Sequence, residues 1–190
     1  LYGDTYLPRK FKVGVTVPGD NSIDLLTQDI GLVVFTHPSG ELKGCNVYVG
    51  GGMGRTHNKE ETFARIADPL GYVAAEHVLD VVQSILALQR DHGDRVIRPH
   101  ARMKYLLHDK GIQWFRQTLQ QDYFKAELTG LRNEPKPKLL DYLGWHRQRA
   151  GLWFVGLPLL CGRLEGKLKQ GLRQLVETYQ LEIRLTANQD

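Results

Sequence analysis

Residues 6–17 read YLPRKFKVGVTV, and the rest of the chain is organised around this stretch. From Phe11 onward apolar residues alternate with others, which is the period-two pattern of a half-buried strand. Pro8 has no amide hydrogen to donate, which suits a position just before a strand begins. We therefore predict a strand here. Its core face should carry Phe11, Val13, Val15 and Val17.

The opposite face of this predicted strand carries Lys10 and Lys12. Their side chains should leave the strand roughly 7 Å apart, at about 3.3 Å per residue. Two ammonium groups held that close repel each other unless something negative lies between them, so a small anion would fit. The spacing is equally compatible with two solvated lysines on an edge strand, where lysine discourages aggregation.

The composition is that of an ordinary globular domain: 190 residues, 42% apolar and 24% charged, with a net charge of +4. The sequence has no apolar run of membrane-spanning length and no secretory signal. Basic residues are spread along the chain, which argues against a nucleic-acid-binding arm. Cys45 and Cys161 lie far apart and form no C-x-x-C motif, which excludes a zinc site and a disulfide framework. A reducing compartment is expected, the cytoplasm or a plastid stroma.

Periodicity predicts two further strands and two helices. Residues 30–36 and 45–49 read as a hairpin joined through a Pro-Ser-Gly turn. A helix is expected over residues 75–92, with Gly93 as its C′ glycine. Its inward face should carry Val78, Val81, Val82, Ile85 and Leu86. A second helix is expected over residues 112–121, with an apolar stripe of Ile112, Phe115 and Leu119.

Two segments between these elements are candidate binding regions. The run GGGMG at residues 50–54 matches neither G-x-G-x-x-G nor the Walker A pattern, which excludes a Rossmann-type site. It is either a flexible surface loop or a backbone that approaches something large and flat. Residues 94–104 are either a solvated loop or a cluster that pairs carboxylates, since arginine binds them through two hydrogen bonds. The basic residues of that cluster are Arg95, Arg98, Arg102 and Lys104, with His100 beside them.

A Pro-interrupted polar segment at residues 134–138 is the best candidate for a linker. After it we predict a β-α-β unit: a strand over 152–160, a helix over 164–179 and a returning strand over 181–186. The inward residues of that helix should be Leu168, Leu172, Leu175, Val176 and Tyr179. We accordingly expect two domains, residues 1–141 and 142–190.

Six motifs, in order, resemble the siroheme-containing sulfite and nitrite reductase family. The glycine motif looks most like that of the ferredoxin-dependent sulfite reductases. The motifs are YLPRKFK (6–12), DNSIDLL (20–26), VGGGMGRTH (49–57), RMKY (102–105), YLGWH (142–146) and RLTANQ (184–189).

This resemblance implies an α+β fold, with a mixed or antiparallel sheet and helices followed by a β-α-β ferredoxin-like half domain. It implies six-electron reduction of sulfite to sulfide at a siroheme coupled to a 4Fe-4S cluster, with electrons from ferredoxin. Lys10 and Lys12 would bind and protonate sulfite, while Arg9 and Arg102 would contact siroheme carboxylates. The other cofactor-binding residues implied are Gly50, Gly51, Gly52, Lys104, Asn188 and Gln189.

The resemblance also implies four cluster cysteines in two paired motifs, and neither Cys45 nor Cys161 stands in such a motif. We therefore expect the chain to be a central piece of a longer enzyme, to hold no metal ligands and to be inactive alone. The full-length protein is expected to be a monomer that needs no nucleic acid or membrane.

Three alternatives remain: a ferredoxin-nitrite reductase, the hemoprotein subunit of an NADPH-linked sulfite reductase, and a basic domain that binds polyanions. Lys12 favours sulfite over nitrite, because nitrite-type members commonly carry Asn at that position and nitrite has the lower charge.

Overall fold

Four strands form a mixed sheet in the computed structural model, which describes residues 2–139, 142–148 and 151–186. The first strand pairs in parallel with the second, and the later pairs are antiparallel. The predicted hairpin and the predicted α+β class are confirmed, whereas the fourth strand was not predicted. In spatial order the strands are β1 (Val13–Thr16), β2 (Ile30–Thr36), β3 (Leu42–Val49) and β4 (Asp68–Ala74).

Two helices, α1 (Val78–His92) and α2 (Met103–Thr118), pack their apolar sides against one face of this sheet. The predicted helix is present but starts at Val78, and of its five predicted inward residues Val81 and Ile85 are fully buried while the other three are only partly buried. Gly93 is not the left-handed C′ residue that was predicted, because its φ is −65°. It is required for another reason: a Cβ there would lie 2.7 Å from Pro8 and 2.5 Å from the Gln89 carbonyl oxygen.

The second helix begins at Met103 and not at Ile112 as predicted. Gly111, with φ of 82°, interrupts it and hides the continuous period in the sequence. The earlier start places Arg102 at the N-cap and Lys104 in the first turn, instead of in a loop. Short helical turns occupy Leu25–Thr27, Ala75–His77, Arg98–His100 and Leu160–Gly162, and a π-type turn occupies Leu119–Tyr123.

The burial predicted for the opening strand holds for Phe11, which packs half-buried against the core, but is wrong for Val13, Val15 and Val17, and β1 starts only at Val13. Val13 and Val15 pair in register with Ile30 and Leu32, so they lie on the helix-covered face of the sheet. However, β1 is the outer strand, and both valines stay about half exposed, at 46% and 54%. The residues that are buried in β1 are Gly14 and Thr16, on the opposite face.

That second face is covered partly by the segment predicted to be a linker. The Asn46 side chain pairs with the backbone of Arg132, and the Tyr48 hydroxyl donates to Glu134. The amide of Lys138 donates to the Gly19 carbonyl. Residues 132–138 are therefore bonded to the sheet unit, and by internal contacts the chain divides after them, into Leu1–Lys138 and Leu139–Asp190.

The second unit contains a hairpin of β5 (Gly144–Arg147) and β6 (Trp153–Gly156), followed by α3 (Gly166–Tyr179). The predicted helix and the strand before it are present, but residues 181–186 form no strand. The strand that pairs with β6 is β5, which was not predicted. None of the predicted inward residues of α3 is buried. In the ranges described, no helix is both long and apolar enough to cross a membrane.

We expect the amides of α3 to exchange hydrogen much faster than those of α1 in the 190-residue chain. Local opening is easiest where few apolar contacts are broken, and α3 has no buried residue, whereas Val81, Ile85 and Leu88 of α1 are fully buried. Hydrogen–deuterium exchange followed by mass spectrometry measures both helices in one experiment. Equal protection of α1 and α3 would contradict this expectation.

Candidate functional site: a cavity lined by basic residues

A cavity of about 510 Å³ opens where three segments meet: the stretch before β1, the loop after the glycine run, and the start of α2. No acidic residue lines it within the described ranges. Its basic lining residues are Arg9, Lys10, Arg55, Lys59, Arg98, Arg102 and Lys104. The other lining residues are Gly54, Thr56, Thr62, Pro99 and Tyr105. We call this space the basic cavity.

Five of these cations are not neutralised by the protein. In the part of the chain that the structure describes, their side chains have neither an ion pair nor a hydrogen-bond partner, and all are exposed. Like charges around one concave surface add their potentials and attract anions. The unpaired cations are Arg9, Lys10, Arg55, Lys59 and Arg98.

Lys104 has a different role from these five, because it is 1% exposed and fully hydrogen-bonded. Its ammonium group donates to the carbonyls of Gly52 (3.3 Å), Gly54 (2.7 Å) and Phe63. An ammonium group has three protons, so none is left for a ligand. The Tyr105 ring lies 4.9 Å from the nitrogen and adds a cation–π contact. Lys104 therefore shapes the cavity wall by holding the loop after the glycine run.

Burial lowers the pKa of Lys104, and the charge of Arg102 lowers it further. The pKa of Lys104 is lower in the folded chain than in the unfolded chain, so at a pH between these two pKa values the unfolded chain binds more protons. Titration of Lys104 therefore makes the folded state relatively more stable as pH rises through this range. We expect the stability difference between wild type and Lys104→Met to shift in favour of wild type as pH rises from 7 toward 10. Urea unfolding at several pH values measures this shift, and a constant difference would contradict it.

Arg102 is held by a buried carboxylate behind the cavity. Its guanidinium donates to Asp29 Oδ2 at 2.8 Å, and the Asp29 side chain is 0% exposed. Burial raises the pKa of Asp29, while the bond to Arg102 and the charge of Arg102 lower it. Among the described residues, Arg102 Nε and Asp29 Oδ1 are buried without a hydrogen-bond partner.

The first three glycines of the run, Gly50, Gly51 and Gly52, are buried, whereas Met53 and Gly54 are exposed. A Cβ on Gly51 would lie 2.2 Å from the Leu26 carbonyl oxygen, and a Cβ on Gly52 would lie 2.8 Å from the Arg102 guanidinium. On the side to which these Cβ atoms would point, the space is thus filled by the protein itself. Gly54 differs from both, because a Cβ there would have no atom within 4 Å, and it lines the cavity.

The loop carrying Arg55 and Lys59 is closed by Thr62. The buried Thr62 hydroxyl donates to the Lys59 carbonyl at 2.8 Å and accepts from the Thr56 amide at 2.8 Å. These two hydrogen bonds hold the backbone at Thr56 and Lys59, and so place Arg55 and Lys59 on the same side of the basic cavity.

The structure brings together some of the residues predicted for the site and separates others. Arg9, Lys10, Arg102 and Lys104 line the basic cavity. Lys12 does not line it, and neither do Gly50, Gly51 and Gly52. Asn188 and Gln189 lie outside the described residues.

Sequence reasoning assigned no role to Arg55 or Lys59, which line the cavity, whereas Arg98, which also lines it, was named in the basic cluster of residues 94–104. Arg55 and Lys59 directly follow the glycine run, and Arg98 lies in the basic cluster before α2. Their position beside these two segments is the signal that was available.

The residues described do not fit an iron–sulfur cluster. They contain no group of three or more potential metal ligands among His, Cys, Asp and Glu. Burial in β3 raises the pKa of the Cys45 thiol to about 11, which disfavours the thiolate that binds iron. Cys161 is exposed and belongs to the other unit.

Comparison with known proteins gives two family matches. Residues 1–128 match the family described as the nitrite and sulphite reductase 4Fe-4S domain. Residues 146–190 match the nitrite/sulfite reductase ferredoxin-like half domain.

The whole chain is 58% identical to a sulfite reductase [ferredoxin] of Synechococcus elongatus and covers 31% of that protein. It is 38% identical over its whole length to the sulfite reductase [NADPH] hemoprotein beta-component of Paenibacillus sp., of which it covers 34%. The structure of the Mycobacterium tuberculosis NirA protein matches 90% of this chain and 30% of its own, with a TM-score of 0.72 and 29% identity. The chain thus spans about a third of these relatives.

Proposed function

Because the chain belongs to the nitrite and sulphite reductase 4Fe-4S domain family, we propose that it forms the anion-binding wall of a siroheme-dependent sulfite reductase. The observation that carries this proposal is the basic cavity, with five unpaired cations and no acidic lining residue in the described ranges. A reductase of a small oxyanion needs such a surface, since the substrate must be drawn from water against its hydration. We also propose the domain division at residues 1–141 and 142–190.

Siroheme fits the donor set of the cavity. It is a tetrapyrrole with eight carboxylates, and carboxylates are bound most specifically by arginine. Arg9, Arg55 and Arg98 have free guanidinium groups to bind them, whereas Arg102 is already paired with Asp29. When bound, siroheme supplies the iron that accepts electrons and passes them to the substrate. The residues of this chain contribute the positive charge that holds it in place.

A 4Fe-4S cluster is also implied by the family, but no residue described here is suited to hold it. That cluster therefore has no part in the proposed role of this chain. Asn188 and Gln189 stay predictions as cofactor-binding residues.

Sulfite is the proposed substrate, and Lys10 is the proposed residue that binds it and donates a proton from its Nζ. Lys10 lines the cavity and has no protein partner for its side chain in the ranges described. With Arg9, Arg55 and Arg98 assigned to the siroheme carboxylates, Lys10 and Lys59 remain for sulfite. Two positive charges favour an anion near −2 over a monoanion, because each interaction scales with the product of charges. Ferredoxin is the proposed electron donor, supported by the 58% identity to a relative named for it, against 38% to an NADPH-linked relative.

We expect Lys10→Gln in the full-length protein to lower kcat/KM for sulfite at least tenfold, and Lys12→Gln to lower it much less. The structure separates two lysines that the sequence treated alike: only Lys10 lines the basic cavity. One unit charge pair at 4 Å is worth about 4 kcal/mol at a dielectric near 20. A third of that corresponds to about tenfold. Steady-state rates with reduced ferredoxin, normalised to siroheme content from the Soret absorbance, measure the effect.

Lys43→Gln is the matched control, because Lys43 is exposed in β3 and lines no part of the cavity. If Lys10→Gln and Lys43→Gln reduce sulfite equally well, the basic cavity is not the substrate site. Failure of the wild-type protein to reduce sulfite would overturn the proposed activity itself.

A further inference from the structure

Asp29, directly before β2, is a buried carboxylate for which sequence reasoning found no role. Its side chain is 0% exposed, although it carries a formal charge and lies behind a cavity that would attract anions. A buried charge of this kind is strongly destabilising unless partners compensate it. The partners of Asp29 lie on two of the segments that form the cavity and on the glycine run that leads into the third.

The first partner is the segment before β1. Asp29 Oδ2 accepts the Lys12 amide at 2.9 Å. At its other end this segment is held by Arg95, whose guanidinium donates to the Tyr6 carbonyl at 2.6 Å. Arg9 and Lys10 lie between these two attachment points, so Asp29 determines where their side chains enter the cavity.

The second and third partners are the start of α2 and the glycine run. The same Oδ2 accepts Arg102 Nη2 at 2.8 Å, and Arg102 Nη2 also lies 3.4 Å from the Gly51 carbonyl oxygen. The Asp29 carbonyl accepts the Gly50 amide at 2.9 Å. Through its side chain Asp29 thus contacts the segment before β1 and the start of α2, and through its backbone the glycine run that precedes the third segment.

We propose that Asp29 is a positioning residue that sets the arrangement of the anion-binding cations of the basic cavity. This inference rests on the proposed function, because it takes the cavity to be the anion site. Asp29 does not touch the cavity itself, as it is absent from the lining residues. It acts through the Lys12 amide and the Arg102 guanidinium.

The inference makes a prediction opposite in sign to simple electrostatics. Removing a negative charge beside Arg102 raises the net positive charge of the cavity, so charge alone would strengthen anion binding. A positioning role requires that binding weaken, because the cations lose their arrangement even though the total charge increases. The direction of the change therefore separates the two explanations.

The test is Asp29→Asn in the full-length holoenzyme, with inorganic sulfite as the ligand. Asparagine keeps the shape and an oxygen for the Lys12 amide but cannot form the ion pair with Arg102. We expect KM for sulfite to rise about tenfold, the change typical of losing one hydrogen bond to a charged group. We expect kcat per bound siroheme to change less than KM. An unchanged or lower KM would overturn the inference.

Asp24→Asn is the matched control, since it is the same substitution at an exposed residue whose side chain makes no capping hydrogen bond to the helical turn that follows it. Asp24 has φ of 49°, a left-handed conformation that asparagine tolerates well, so we expect its kinetics to equal those of wild type. If Lys10→Gln impairs sulfite reduction while Asp29→Asn does not raise KM, the inference fails and the proposed function stands. If Lys10→Gln has no effect, the proposed function fails.

Amide exchange in the wild-type protein tests the same inference without any substitution. The Lys12 and Gly50 amides are bonded to Asp29, whereas no bond from the Lys10 amide is found in the described part of the chain. We expect Lys12 and Gly50 to exchange at least about tenfold more slowly than Lys10. If the Lys12 amide exchanges as fast as that of Lys10, Asp29 does not hold this segment, and the inference is wrong even if Asp29→Asn fails to fold.

Discussion

Gly51→Ala is expected to destabilise the 190-residue chain by about 3 kcal/mol, at the upper end of the cost of overpacking. The added methyl would lie 2.2 Å from the Leu26 carbonyl oxygen and 2.7 Å from the Gln28 carbonyl oxygen. Neither carbonyl is free to move, because they accept the amides of Ala67 and Gly51 at 2.8 and 3.0 Å. Thermal unfolding measures the loss, which for a chain of this length corresponds to about 2–4 °C in Tm per kcal/mol.

Gly54→Ala is the control for this prediction, three residues further along the same run. A Cβ on Gly54 has no atom within 4 Å, and Gly54 does not have a positive φ. We expect a change within about 0.5 kcal/mol, as for other surface substitutions. Equal destabilisation by both substitutions would mean that conformational freedom, and not close packing, requires the glycines.

Arg102→Leu is expected to cost about 3–5 kcal/mol, because it removes one partner of a buried ion pair. Asp29 would remain with a side chain that is 0% exposed and no cation beside it. Desolvation would then raise its pKa without the opposing effect of Arg102, so the carboxyl group would take up a proton at a higher pH than in wild type. Urea unfolding at pH 7 measures the cost.

The double variant Arg102→Leu/Asp29→Asn separates the ion pair from packing. With the charge of Asp29 removed, no uncompensated charge remains buried, so at least half of the lost stability should return. Asparagine still offers an acceptor to the Lys12 amide, so no buried donor is left unpaired, although its neutral oxygen holds that amide less strongly than the carboxylate does. Additive losses in the double variant would show that Arg102 stabilises the fold through its contacts with the glycine run alone.

Local patterns were sufficient for a large part of the fold. The helical period of α1 predicted the helix and the burial of Val81 and Ile85, and the hairpin of β2 and β3 followed from two apolar runs around a turn. The motifs of residues 6–12, 49–57 and 102–105 identified the family and led to the three segments that form the walls of the basic cavity. These signals lie within short windows, so neighbouring residues carry them.

Where prediction failed, the outcome depended on parts of the chain distant in sequence. The valines of β1 alternate as predicted, but whether they are covered depends on how far the helices extend over the outer strand. The glycines at 51 and 52 were recognised as unusual, yet what fills the space beside them is the Leu26 carbonyl and the Arg102 guanidinium.

The sequence by itself determined the family, the α+β class, the main helix and the presence of many cations near the glycine run. Only the tertiary structure decided which cations face one cavity: Lys10 does and Lys12 does not. It also revealed Asp29, whose bond to Arg102 spans 73 residues of sequence. The physical reason is that periodicity reports the local environment of a segment, whereas charge pairing and close backbone contact depend on which distant segments the fold brings together.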